Sequence, residues 1–102
     1  MSAESPTYRF SARLWLYSGT AAWHFITLPH EVTDEIDEIT APTRRGFGSV
    51  RVAVTIGSTN WQTSIFPDTK AESFVLPVKK PVRVAERLAD GDLVDVALCL
   101  VD

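Results

Sequence analysis

A chain of 102 residues is long enough for one hydrophobic core and too short for two ordinary domains. Apolar residues make up 45% of it and charged residues 23%, which excludes a disordered chain, and no apolar run approaches the roughly 20 residues of a membrane-spanning helix. A net charge of −3 argues against a general nucleic-acid binder, whose affinity rests on neutralising phosphates.

The first residues, Met1-Ser2-Ala3-Glu4-Ser5-Pro6, have no basic start and no apolar stretch. They read as a disordered tail over 1–7 rather than a secretory signal, followed by one domain over 8–102. From Tyr8 the apolar period is two: Tyr8, Phe10, Ala12, Leu14 and Leu16 alternate with Arg9, Ser11 and Arg13, the pattern of a half-buried strand. Ser18-Gly19-Thr20 supplies a turn, and Ala22 to Leu28 forms a second strand paired with the first as a hairpin. After Pro29 the spacing of Val32, Ile36 and Ile39 predicts an amphipathic helix, and Pro is well tolerated at a helix start. Glu31, Asp34, Glu35, Asp37 and Glu38 fill its other faces.

Val50, Val52, Val54 and Ile56 restore the strand period. Gly57-Ser58 then leads into Trp61-Gln62-Thr63-Ser64-Ile65-Phe66, the strongest hairpin signal in the chain. Phe74, Leu76 and Val78 begin another strand, and Pro77 within it implies an edge or a bend, because it cannot donate to a ladder. Pro81 opens a second helix with Val82, Ala85 and Leu88 on its buried face. Gly91 is the expected stop signal, and Val94, Val96, Leu98 and Leu100 form the last strand. The order is ββαβββαβ, a mainly β, mostly antiparallel domain of six strands and two short helices. Its core is expected at Phe10, Leu14, Val52, Val54, Ile65, Leu76, Val96 and Leu98, with Ile36 and Leu88 covering it from the helices.

Residues with the spacing of catalysis are scarce. His24 and His30 have no partner at zinc spacing, and a single cysteine, Cys99, makes neither a zinc site nor an internal disulfide. Cys99 sits between Leu98 and Leu100 and reads as a packed thiol, while one unpaired cysteine fits a reducing cytoplasm. The five acids of the first helix lack the interleaved glycine of a calcium loop and read as a solvated face. Gly46-Phe47-Gly48 leads into a strand, whereas a dinucleotide fingerprint leads into a helix, so it reads as a turn. No catalytic residue, metal or cofactor is therefore expected.

One cluster stands out. Lys79, Lys80 and Arg83 lie at the mouth of the second helix, where free N–H groups and adjacent cations favour an anion. Trp61, Thr63 and Ser64 on the neighbouring hairpin are expected to add a stacking surface and hydroxyl donors. A separate basic patch is Arg44, Arg45 and Arg51, in a stretch over 42–66 that holds no acid.

Several stretches together resemble a bacterial domain of unknown function, the family numbered nineteen hundred and five. They are Trp23-His24-Phe25 with Leu28-Pro29, Arg45-Gly46-Phe47-Gly48-Ser49-Val50-Arg51-Val52, and Ile56-Gly57. Trp61-Gln62-Thr63-Ser64-Ile65-Phe66-Pro67, Leu76-Pro77-Val78-Lys79-Lys80 with Val82-Arg83, and Gly91-Asp92-Leu93-Val94 complete the set. The resemblance spans roughly residues 8–101 and departs at Pro81, where a small residue is expected. It implies a small pseudo-barrel of the double-split type, similar to the barrels of transition-state regulators and antitoxins, and it brings no established activity.

The leading expectation is a non-enzymatic module that binds a small anionic ligand or a protein. A dimeric DNA-binding regulator and an enzyme of unrecognised class stand as alternatives. Acidity disfavours nucleic acid, nothing in the sequence points to a membrane, and the oligomeric state is open.

Overall fold

Residues 6–18, 23–42 and 48–101 are described by the computed structural model of the chain. They carry the order ββαβββαβ: β1 (Thr7–Leu16), β2 (His24–Thr27), α1 (His30–Thr40), β3 (Val50–Ile56), β4 (Thr59–Asp68), β5 (Ser73–Pro77), α2 (Lys80–Glu86) and β6 (Leu93–Leu100). β1 begins at Thr7, within the expected tail, whose residues 1–5 lie outside those described.

The strands form a closed, antiparallel barrel in the order β1-β2-β5-β4-β3-β6. Closure rests on the two ten-residue strands, each of which changes partner along its length. β1 pairs with β6 from Thr7↔Cys99 to Arg13↔Leu93, then with β2 from Leu14↔Ile26 to Leu16↔His24. β4 does the same, pairing with β3 from Ile56↔Thr59 to Val50↔Ile65 and with β5 from Phe66↔Val75 to Asp68↔Ser73. A strand longer than its neighbour can bridge two sheets, and the closed ring leaves no open edge. Pro77 therefore marks no edge strand. It is the last residue of β5, where a missing N–H interrupts no longer ladder.

The barrel interior is the core. Leu14, Val52, Val54, Ile65, Leu76, Val96 and Leu98 are buried, and Ile36 reaches them from α1. Phe10 departs from expectation: it lines an open cleft with Val96 and Thr55 and is half-buried. Ile39 is also exposed, because α1 buries only Val32, Thr33 and Ile36, in its first two turns.

α2 is shorter than its apolar spacing suggests. Arg87, not Gly91, takes the left-handed position at its end (φ 54°), and the Leu88 N–H closes back onto the Arg83 carbonyl at 2.8 Å. Ala85 is exposed and Leu88 half-buried against the core. Gly91 (φ 93°) instead serves the turn into β6, where its N–H donates to the Leu14 carbonyl at 2.7 Å.

Candidate functional site

β2 and β5 build the floor of a mainly apolar cavity. Their ladder runs through Phe25↔Pro77, and the Val78 N–H donates to the His24 carbonyl at 2.9 Å. This fixes the ends of both strands side by side. Beyond Pro77 the chain turns through Val78 and Lys79 into α2, so the strand end and the first helical turn face Trp23 and His24. The resulting cavity of about 530 Å³ is lined by Trp23, His24, Pro77, Val78, Lys79, Lys80 and Arg83.

Trp23 is 60% exposed, yet it is not isolated. Its ring lies 6.0 Å from that of Phe25, which in turn lies 5.3 Å from Trp15 and 6.2 Å from Tyr17. Trp15 is anchored by its indole N–H, which donates to Thr27 Oγ1 at 2.9 Å. Rings at these separations attract one another, so the indole of Trp23 stands on an aromatic support.

Arg83 is half-buried, and its Nη1 donates to the Val78 carbonyl at 2.7 Å. One hydrogen bond orients the guanidinium and leaves its remaining donors available. Lys79 and Lys80 are exposed at the rim. Among the described residues no carboxylate shares the lining, so its described charged side chains are all cations. His24 is half-buried, and its Nδ1 is enclosed without a hydrogen-bond partner.

Two parts of the expected anion site are assembled differently. The helix mouth offers few backbone donors: α2 has seven residues, Pro81 has no N–H, and the N–H groups of Val82 and Arg83 both go to the Lys79 carbonyl at 3.1 Å. Side-chain cations carry the positive charge instead. Trp61, Thr63 and Ser64 do not line this cavity. They face Val54, Val52 and Arg51 across the β3–β4 ladder, and Trp61 packs half-buried on the core. The β4–β5 ladder stops at Phe66↔Val75, whereas β5 stays paired with β2 to its end. The cavity consequently opens on the β2 side. Trp23 and His24 had only one sequence signal, their place in a shared family motif, because their proximity to Lys79 arises from strand pairing.

Of the second basic patch, Arg51 is exposed on β3, and Arg44 and Arg45 lie outside the described residues. Cys99 is half-buried on β6, opposite Thr7 and Ala53. His30 Nε2 lies 3.0 Å from the Ala71 carbonyl. Among the described residues, no group of three or more His, Cys, Asp or Glu side chains is placed to hold a metal ion.

The family model described as a domain of unknown function (DUF1905) matches residues 10–98, a span that contains β2 to β5, both helices, most of β1 and β6, and the described residues lining the cavity. No curated protein matches the chain.

Proposed function

The chain belongs to the DUF1905 family of domains of unknown function, and from its own residues we propose that it is a non-enzymatic module binding a small organic anion with a flat apolar body. The observation that carries this reading is the cavity itself. It sets Lys79, Lys80 and Arg83 beside the Trp23 indole over Pro77 and Val78, with no acid among the described lining residues. An apolar pocket with a few convergent polar groups is the usual form of a small-molecule site. The indole face suits an aromatic ring, and ammonium and guanidinium groups make charge-assisted hydrogen bonds to a carboxylate or phosphate.

A cytoplasmic setting goes with this reading, since the one cysteine has no second cysteine to bridge. No helix among the described residues is long and apolar enough to cross a membrane.

The test is calorimetric titration with benzoate, indole-3-carboxylate and adenosine monophosphate, alongside thermal unfolding, because a ligand of the folded state raises apparent stability. At least one probe is expected to bind. Lys80→Ala and Trp23→Ala are each expected to weaken it by about tenfold, the scale of one lost charge-assisted contact or one aromatic stack. Binding that both variants leave unchanged would refute the site, as would no binding by any probe.

A further inference from the structure

We infer that the cavity beside Trp23 selects a phosphate monoester of a ring compound over the corresponding carboxylate. The inference rests on the binding reading above and goes beyond it by naming the anionic group that the cations prefer.

The first observation is uncompensated charge. Lys79, Lys80 and Arg83 line the cavity, and among the described residues none of the three is ion-paired. Arg83 is half-buried, and its printed partner is a neutral one, the Val78 carbonyl at 2.7 Å. That bond aims the guanidinium without neutralising it and leaves the rest of its N–H donors for a ligand.

The second observation is where the nearest acid in the chain has gone. Glu86 is the single carboxylate of α2 and follows Arg83 at the i, i+3 spacing that lets helical side chains pair. It does not line the cavity. Its Oε2 instead accepts from Thr59 Oγ1 at 2.6 Å and from Ser58 Oγ at 3.4 Å, at the tip of the β3–β4 hairpin. Gly57 makes room for it there, since a Cβ at that position would lie 1.9 Å from Glu86 Oε1. The hairpin therefore holds the acid that would otherwise neutralise Arg83.

Cations gathered over the apolar floor of Pro77 and Val78 repel one another, and partial removal from water strengthens that repulsion. A ligand relieves it in proportion to the charge it brings. A carboxylate brings one negative charge, whereas a phosphate monoester brings close to two near neutral pH, with three acceptor oxygens. The second charge meets all three cations at once. The ring of either ligand meets the same Trp23 indole, so the anionic group alone decides between them. A cavity of about 530 Å³ has room for a ring and a phosphate together.

The experiment is calorimetric titration of the whole chain, near neutral pH and at low salt, with phenyl phosphate, methyl phenyl phosphate, benzoate and inorganic phosphate. Phenyl phosphate is expected to bind about tenfold tighter than its methyl ester or benzoate, which carry one charge each, and about tenfold tighter than inorganic phosphate, which has no ring. Raising the salt to about 0.15 M should weaken phenyl phosphate more than benzoate. Lys79→Gln is expected to weaken phenyl phosphate about fivefold and the methyl ester only about twofold. Lys79 is exposed, and an unchanged melting temperature shows that the variant is folded. If benzoate and the methyl ester bind as tightly as phenyl phosphate, the inference is overturned while the anion site stands. Equal binding of inorganic phosphate, or an equal loss of both phenyl esters in Lys79→Gln, also overturns it. Binding of none of the four removes the anion site and the inference together.

Discussion

Leu98 sits where three strands meet. It pairs with Tyr8 on β1 and Val54 on β3, and its side chain is 0% exposed. Replacing it with Ala removes three methyl or methylene groups from a closed interior. At roughly 0.8 kcal/mol for each buried group, the lost transfer free energy is about 2.4 kcal/mol. The barrel wall on either side is hydrogen-bonded to its neighbours, so collapse is limited and a cavity term adds to that figure. A total of about 3–4 kcal/mol follows, within the range seen for buried Leu→Ala changes. A domain of this size has only ~5–15 kcal/mol to lose. At about 4–8 °C per kcal/mol, the melting temperature should fall by at least roughly 12 °C. Guanidinium unfolding followed by circular dichroism, with Lys79→Ala as an exposed control expected within about 0.5 kcal/mol, measures the difference. A loss below about 1 kcal/mol for Leu98→Ala would refute the assignment of the β6 phase to the interior.

Gly57 turns β3 into β4 at φ 58°, and a Cβ there would meet Glu86 Oε1 at 1.9 Å. Gly57→Ala should therefore destabilise the chain by more than the ~1 kcal/mol of left-handed strain alone. Glu86→Ala loses the carboxylate that accepts from Thr59 Oγ1 at 2.6 Å and should cost about 1 kcal/mol. The double variant should cost less than the two losses together, since removing Glu86 opens room for the new methyl; additivity in urea unfolding would refute the contact. The Tyr8 hydroxyl is held above its ordinary pKa of 10.0, chiefly by burial and secondly by the negative charge of Glu35. Above pH 10 the unfolded chain loses this proton first and so binds fewer protons, and stability falls as pH rises. Tyr8→Phe should flatten that alkaline fall in pH-dependent unfolding; an unchanged slope would show that Tyr8 is not its source.

The strand phases were legible because the side-chain period of a strand is a local property. Val50, Val52, Val54 and Ile56 alternate in the chain and are all buried in the barrel, and Gly57-Ser58 marks their turn into β4. The same local logic placed α1 after Pro29, with its five acids exposed. It failed where burial depends on what lies opposite. Ile39 and Ala85 continue apolar stripes, but their helices are covered only over part of their length. The candidate anion site divides in the same way. Lys79, Lys80 and Arg83 are neighbours in the chain and stand out as a basic cluster. Trp23 and His24 join them only through Phe25↔Pro77 and the hydrogen bond from Val78 to His24, contacts between segments far apart in the chain. Periodicity tells a strand which side faces inward, whereas its neighbours are chosen by register and closure of the whole ring.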